Sequence, residues 1–489
     1  MRTASAALAI VLVAACATAI RAADDYSPDV QKRITAVEQG LIPAVRIKGR
    51  SQTTKICDRM TRDHVPAVSV AVINGGRIEW AKAYGLADAV EGTPATVDTL
   101  FQAASMSKPI TALAALKLVE QGKLELDENV NRKLRSWQLP ENEFTEKHAV
   151  DLRGLLSHTA GLTIHGFPGY EVDAPLPTVP QILDGQPPAN TAAVRVNKVP
   201  GHGFRYSGGG TTMAQLLMCD VTDRPFPDLM HDLVLAPFGM SKSTFAQPLP
   251  ADRAAQAARA HNEKGERVKG GWHVYPEMGP AGLWTTPSDM CRYMIAVQQA
   301  QRGTNDRVLK RTMLDEMLKP QGGGPVGLGP FIVERDGAKR FEHSGGNEGF
   351  RCNFIAFLDR DQGAVVMTNA DSGNRAVNEL MNSIALVYGW PGFVPPEREA
   401  ASVSSESLDR LVGDYALNVA SVATISRRGE QLFVKLPRQP ELELHTESAT
   451  RFFSDDPDFS GACVLDDAGQ VASITFQFGT REVSARRVK

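Results

Sequence analysis

Residues 67–73 alternate Val68, Val70 and Val72 with smaller side chains, and a second alternating run, 78–84, resumes after Asn74-Gly75-Gly76. Period-two patterning on both sides of a tripeptide able to take positive φ predicts a strand, a tight turn and a return strand. Strands recur only much later, at 340–345, 353–359 and 364–368, the last two joined by Asp361-Gln362-Gly363. The intervening chain is helical in pattern. A short amphipathic run covers 53–63, just before the hairpin. Residues 109–121 place Ile110, Leu113, Leu116 and Val119 at helical spacing and stop at Gly122, where a left-handed C-cap fits. Residues 151–158 and 211–220 read as further helices. Another begins at Thr286-Pro287-Ser288-Asp289, with Thr286 able to cap and Pro287 suited to the first turn. A last helix is predicted over 375–388. The chain therefore mixes α and β, with its strands toward the two ends and its helices between them.

Three other stretches differ in texture. Seven prolines fall within 165–200, which predicts a covering loop rather than a regular element. Residues 393–407 are rich in Pro, Glu and Ser and read as a linker. Beyond it, 408–489 consists of short apolar or alternating runs separated by Gly and Asp, the pattern of a small all-β barrel or sandwich. At the start, Arg2 precedes the small, apolar run 6–15, too short to span a bilayer, so residues 1–22 read as a signal peptide. Val13-Ala14-Ala15-Cys16 offers an alternative, a lipobox with a lipid anchor on Cys16. Either route predicts an exported protein, periplasmic or extracellular. The catalytic candidate region is then 30–392.

With 43% hydrophobic and 22% charged residues in 489, and a net charge of −3, the chain can bury a large core. It offers no electrostatic reason to bind nucleic acid. The six cysteines form no C-x-x-C pair, no His/Asp pattern has metal-ligand spacing, and no later segment is long enough for a transmembrane helix. A phosphate loop, a dinucleotide fingerprint and the G-x-S-x-G nucleophile elbow are also missing. No cofactor is expected.

Ser105-Met106-Ser107-Lys108 places a serine three positions before a lysine. At helical spacing both side chains share one face. A serine hydroxyl needs a base to become a nucleophile, and a lysine serves as one only when burial or nearby charge brings its pKa toward neutrality. The same pair is also what a capping serine beside a solvated lysine looks like. The order of the surrounding motifs separates the two. Val65-Pro66-Ala67-Val68-Ser69-Val70-Ala71-Val72-Ile73 precedes Ser105-x-x-Lys108. Leu155-Leu156-Ser157-His158-Thr159-Ala160-Gly161-Leu162, Tyr206-Ser207-Gly208, Ala281-Gly282-Leu283-Trp284-Thr285-Thr286 and His343-Ser344-Gly345 follow. From about 64 to 370 this series resembles the penicillin-recognising serine hydrolases, the superfamily of class C β-lactamases, DD-peptidases, D-aminopeptidases and related esterases.

The resemblance implies a β-lactamase/transpeptidase-like α/β (α+β) fold. Its antiparallel sheet combines the hairpin with the strands after Arg340, flanked by helices and packed on a helical region, with the all-β C-terminal domain appended. It implies an acyl-enzyme on Ser105, proton transfer shared by Lys108 and a Tyr206 phenolate stabilised by nearby positive charge, and an oxyanion hole from the backbone N–H groups of Ser105 and Gly346. His343, Gly345 and Gly208 would line the substrate. Two departures stand out. Gly208 occupies the place of an asparagine that holds the substrate amide, and His343 the place of a lysine common in β-lactamases. Both loosen the case for β-lactams and fit esters or D-amino-acid peptides. His158 reads as structural, closing its helix before Gly161. Arg351 and Glu348 lie beside the His343 strand without a clear role. The partner implied is a small-molecule or peptide acyl substrate. The rival from another class is a non-catalytic, peptidoglycan- or penicillin-binding cell-envelope module.

Overall fold

A computed structural model describes residues 26–50, 52–305, 307–418, 421–437, 441–455, 458–478 and 481–488. The signal peptide and the lipobox at Cys16 lie outside them. The chain forms two compact units, one containing Cys57–Val377 and the other Lys32–Ile56 with Asn378–Lys489.

The first unit is built on a seven-stranded sheet. Its strands are β1 (Ala67–Asn74), β2 (Arg77–Asp88), β3 (Thr93–Pro94), β4 (Phe331–Arg335), β5 (Ala338–Asn347), β6 (Phe350–Phe357) and β7 (Gly363–Thr368). Their order is β3-β2-β1-β7-β6-β5-β4 and every neighbouring pair is antiparallel. The predicted hairpin is present, turning through Gly75 at φ 60° and Gly76 at φ 72°. Its first strand pairs directly with the last strand of the unit, Val70 opposite Val366 and Val72 opposite Ala364. The two ends of the sequence pattern therefore close one sheet.

Asn369 secures that closure. Buried just past β7, it accepts from the Ala67 N–H at 2.7 Å and donates to the carbonyls of Leu86 (3.2 Å), Ala87 (3.3 Å) and Arg259 (3.0 Å).

Four helices matter for the site: α1 (Ser107–Glu120), α2 (Leu152–Ser157), α3 (Gly208–Thr222) and α4 (Pro287–Gln301). Helix α4 begins as its sequence predicts, with the Thr286 hydroxyl accepting from the Asp289 N–H at 3.2 Å. It lies on β1 and β7 and is pinned by Gln298, whose amide donates to the carbonyls of Phe357 (2.8 Å) and Gln362 (2.9 Å). Helix α1 is buried nearly all round from Ser107 to Leu118, which is why its apolar residues are not confined to one stripe. Helix α3 starts three residues before the predicted 211. Gly208-Gly209-Gly210 hid its start, because glycine is a poor helix former. Close packing requires these glycines, since a Cβ on Gly209 would stand 2.8 Å from the Val194 side chain. The proline-rich stretch 165–200 is not wholly a loop. It includes Val179–Asp184, headed by a Thr178–Gln181 capping box, and Tyr170–Glu171, which pairs with His273–Val274.

In the second unit the C-terminal β region is a closed, antiparallel eight-stranded barrel, which decides between the barrel and sandwich alternatives. Its strands are β8 (Gly413–Asn418), β9 (Ser421–Arg428), β10 (Gln431–Lys435), β11 (Glu441–Ser448), β12 (Arg451–Ser454), β13 (Phe459–Leu465), β14 (Val471–Phe478) and β15 (Arg481–Arg487). Tyr415, Ile425, Leu432, Val434, Phe452, Phe459, Ile474 and Phe476 fill its interior. Residues 46–47 run parallel to 397–398, so this unit draws on an early segment of the chain and on part of the proline-rich 393–407 stretch. No helix among the described residues is long and apolar enough to cross a membrane. Cys219, Cys291, Cys352 and Cys463 are free thiols, Cys291 and Cys352 buried.

Replacing Asn369 by Ala removes the acceptor of the buried Ala67 N–H and the amide that bonds the Leu86 and Arg259 carbonyls. The expected loss is about 3 kcal/mol of unfolding free energy, read by urea denaturation. A loss below about 0.5 kcal/mol would show that Asn369 does not tie the sheet together.

Candidate active site

Ser105 does not lie in α1 itself but in the single 3-10 turn Ala104–Met106 just before it. Ala104 holds φ at 48°, a left-handed conformation that an alanine adopts only when its surroundings impose it. Those surroundings are visible. Ala103 donates its N–H to Leu283 O at 2.8 Å, and its own carbonyl receives the Met106 N–H at 3.0 Å and the Cys352 thiol at 3.2 Å. The Ser107 hydroxyl donates to Ala104 O at 2.6 Å and accepts from the Leu283 N–H at 3.1 Å. Ser107, the unremarked second serine of the motif, is thus the brace of the nucleophile turn. Strand β5 reaches this turn at Gly345, where a Cβ would stand 2.3 Å from Ala103 O. Any other residue there would push the strand away. Gly346 follows, exposed on the same strand.

Lys108 is buried in the first turn of α1, its Nζ 2.9 Å from Ser105 Oγ and 3.0 Å from Pro280 O. The carbonyl comes from the short helix Met278–Ala281. That helix is clamped by Thr111, which donates to Gly279 O at 2.9 Å, and by Gln215, which accepts from the Gly279 N–H at 2.7 Å. No carboxylate compensates the ammonium, so burial alone pushes Lys108 down to about 7. Near neutral pH a large share of the amine is uncharged. In that form it can donate one N–H to Pro280 and offer its lone pair to Ser105.

Tyr206 hydrogen-bonds Ser105, and its ring centroid lies 5.0 Å from Lys108 Nζ. Burial raises its pKa well above the ordinary phenol value. Desolvation outweighs the hydrogen bond with Ser105, which favours a neutral phenol over a phenolate in the resting site. His343 completes the group, with its ring 6.1 Å from that of Tyr206. It is buried, pushed down to about 3 first by desolvation and then by Lys108, and therefore neutral. Its Nδ1 lies 2.6 Å from Ser344 O, so the proton belongs on Nδ1, and Nε2 carries a lone pair that meets no protein donor.

The structure thus brings Ser105, Lys108, Tyr206 and His343 together, with Gly345 beneath them. Gly208 plays a different part. Its N–H donates to His165 O at 3.0 Å, and a Cβ there would press on His165 O and the Phe167 ring, each 3.0 Å away. It offers no free donor, and the space an asparagine side chain would use is closed by the 165–167 segment. Arg351 is also committed, paired with Asp371 at 2.8 Å and bonded to the carbonyls of Asn347 and Phe350. Glu348 is exposed, and its backbone N–H donates to the Tyr275 hydroxyl at 3.0 Å. Among the described residues, no three His, Cys, Asp or Glu side chains cluster as a metal site.

His158 does more than close its helix. It is the left-handed cap of α2, at φ 61°, and its Nδ1 accepts the Ser207 N–H at 3.2 Å. Its ring lies against that of Tyr206, with centroids 4.3 Å apart. Desolvation, with Lys108, His343 and His165 adding to it, holds its pKa well below the usual histidine range. His158 therefore grips Tyr206 through the next residue's amide and supports its ring. His165 touches the other side of the ring at 4.8 Å. Neither contact is signalled by local spacing, because His158 and Tyr206 are far apart in sequence.

Residues 53–388 match the family model described as Beta-lactamase, more than half of the chain, and the protein belongs to that family. Penicillin-binding protein 4* of Bacillus subtilis is 22% identical over 413 residues, covering 79% of this chain and 87% of its own length. Esterase EstB of Burkholderia gladioli is 27% identical over 300 residues, 55% of this chain and 74% of its own. Among solved structures, the octameric penicillin-binding protein homologue from Pyrococcus abyssi superposes with a TM-score of 0.60 at 19% identity, covering 88% of this chain and 98% of its own. The D-amino acid amidase from Ochrobactrum anthropi SV3, complexed with L-phenylalanine, gives 0.55 at 22% identity over 74% of this chain and 98% of its own. These likenesses establish the β-lactamase/transpeptidase fold expected from the motif order.

Substitutions at two positions probe the site, one by stability alone and one with any substrate that turns over. Lys108 binds its proton up to about 10.5 when unfolded but releases it near 7 when folded. The unfolded state therefore holds more protons between those values, and the lysine's contribution to stability rises with pH across that window. Lys108→Met should stabilise the protein most at pH 6, and the gain should shrink toward pH 10, as read by urea melts at both pH values. A gain independent of pH would contradict the depressed pKa. At position 158, Asn tolerates the left-handed backbone and can still accept from Ser207, whereas Phe cannot accept. His158→Asn should keep at least about tenfold more kcat than His158→Phe.

Proposed function

We propose that the chain is a serine hydrolase working through an acyl-enzyme on Ser105. The observation that carries this reading is the 2.9 Å contact between Ser105 Oγ and a buried Lys108 amine pushed down to about 7. A general base is most effective when its pKa lies near the working pH. A lysine that served only as packing or as a surface cation would have no reason to be buried without a counter-charge.

Ser105 Oγ attacks the acyl carbon while its proton passes to the neutral Lys108 amine. The tetrahedral oxyanion is held by the backbone N–H groups of Ser105 and Gly346. The bond to the leaving group then breaks, and the departing oxygen or nitrogen takes a proton from Tyr206, which Lys108 replenishes. Water then attacks the ester carbon and gives a proton to the Tyr206–Lys108 pair, and Lys108 passes a proton to Ser105 Oγ as the acyl–Oγ bond breaks and the carboxylic acid leaves. His343 is buried and held neutral by desolvation, so it supplies no fixed cation for a substrate carboxylate. This favours esters and D-amino-acid derivatives over β-lactams or peptides recognised by a terminal carboxylate. The relatives include an enzyme named as an esterase and a structure named as a D-amino acid amidase, which accords with that choice. The apolar leader 6–15 supports export, periplasmic or extracellular, with a lipid anchor at Cys16 as the alternative to ordinary cleavage.

A fluorophosphonate probe should form one adduct, on Ser105, located by mass spectrometry and lost in Ser105→Ala. The rate of labelling should rise with pH around an apparent pKa of about 7. Lys108→Met should slow it by at least about 100-fold. No adduct on Ser105, together with unchanged ester hydrolysis in Ser105→Ala, would place the nucleophile elsewhere, whereas no adduct and no ester hydrolysis by the wild type would leave a non-catalytic binding module.

A further inference from the structure

Beside Tyr206 the site carries an aromatic wall that the proton chemistry does not require. Phe331, at the start of edge strand β4, stacks with the Tyr206 ring at a centroid distance of 6.3 Å and an interplanar angle of 16°. It meets His343 edge-on at 5.3 Å. Phe204 continues the surface, 6.3 Å from Phe331 and 6.2 Å from His158, and is 37% exposed. The ring of Phe204 can lie there because residue 324 is glycine; a Cβ at that position would stand 2.9 Å from Phe204 Cβ. Two partly exposed phenylalanines thus lie beside a reactive serine, where each leaves apolar surface to water. Such surface is stabilised when a ligand covers it.

The position of this wall says which part of a substrate meets it. By the reading above, Tyr206 hands a proton to the leaving group, so the leaving atom sits at its hydroxyl and the rest of the leaving group extends along its neighbours. Those neighbours are Phe331 and Phe204, with the buried His343 ring behind Phe331. Two of the guanidiniums in this part of the unit are already paired with carboxylates. Arg351 is paired with Asp371 and Arg340 with Glu342 at 2.6 Å, while Arg205 keeps its charge and bonds to the neutral amide of Asn197. A carboxylate placed against this wall would lose water to two phenyl rings.

We propose that Phe331, Phe204 and Tyr206 form a leaving-group subsite that takes the uncharged, apolar or aromatic alcohol portion of an ester and rejects one bearing a carboxylate. This rests on Ser105 being the acylated nucleophile. In the step it selects for, the Ser105 Oγ–acyl bond forms, the acyl–alkoxy bond breaks, and the alcohol leaves with the proton supplied through Tyr206.

The test is a matched pair, benzyl acetate and 4-(acetoxymethyl)benzoate, which share the acyl group and the benzylic leaving oxygen and differ only by a remote carboxylate. Ethyl acetate is the small reference. The wild-type kcat/KM should be at least about tenfold higher for benzyl acetate than for its carboxylate analogue. Phe331→Ala should lower the value for benzyl acetate by about tenfold and that for ethyl acetate by less than about threefold. Phe204→Ala, at an exposed position that puts little strain on folding, should act in the same direction. Equal or better turnover of the carboxylate analogue, or an equal loss on both neutral esters in the two variants, would overturn the subsite. Fluorophosphonate labelling of Ser105 in the same samples separates the two readings. Labelling without discrimination overturns the subsite alone, whereas no labelling and no turnover in the wild type removes the hydrolase reading and the subsite with it.

Discussion

A lysine amine shut away from water with no carboxylate beside it is the constraint around which the catalytic unit is arranged. Burying an ammonium is unfavourable, and the fold answers by letting Lys108 lose its proton near neutrality rather than by supplying a counter-charge. Its two partners are both oxygen atoms held from elsewhere in the unit: Ser105 Oγ and the carbonyl of Pro280. Each requires its own support. Ser107 and the Ala103 contacts fix the strained nucleophile turn, while Thr111 and Gln215 fix the short helix that carries Pro280. The strain at Ala104 is held by these hydrogen bonds, which aim the hydroxyl at the amine.

Electrical neutrality extends outward from that lysine. His158 and His343 are both uncharged, each for the same two reasons, desolvation and the nearby Lys108. Tyr206 stays protonated. A charged lysine at position 343 would have added a fixed cation and stabilised a phenolate; a histidine whose Nδ1–H is committed to Ser344 O does the opposite. A histidine at position 343 therefore leaves this part of the site without the fixed cation of the β-lactamase pattern, and Phe331 packs edge-on against it.

Much of this was legible in the sequence because it is encoded locally. The hairpin 67–84 announces itself by alternation and by Gly75-Gly76, and the α4 start by Thr286 and Pro287. The pairing of Ser105 with Lys108 follows from spacing, and the order of the motifs brought Tyr206 and His343 into one site. What stayed hidden is encoded between distant segments. Strand β4 is five residues long and ends in Glu334-Arg335, so Phe331 reads as loop and its place beside Tyr206 depends on pairing with β5. The role of His158 depends on a hydrogen bond to Ser207, 49 positions away. The protonation of Tyr206 depends on how completely water is excluded, which spacing does not reveal. Gly208 shows the same limit: its missing side chain was plain, but not that its amide and the space beside it belong to the 165–167 segment.

The arrangement stands or falls on the charge state of one amine. Selective carbon-13 labelling of lysine, with the Lys108 signal assigned by its loss in Lys108→Arg, allows that amine to be titrated by NMR in the resting protein. A midpoint near 7 is expected. A midpoint near the ordinary lysine value of about 10.4 would mean that Lys108 is a resident cation at neutral pH, and that Ser105 has another base or none.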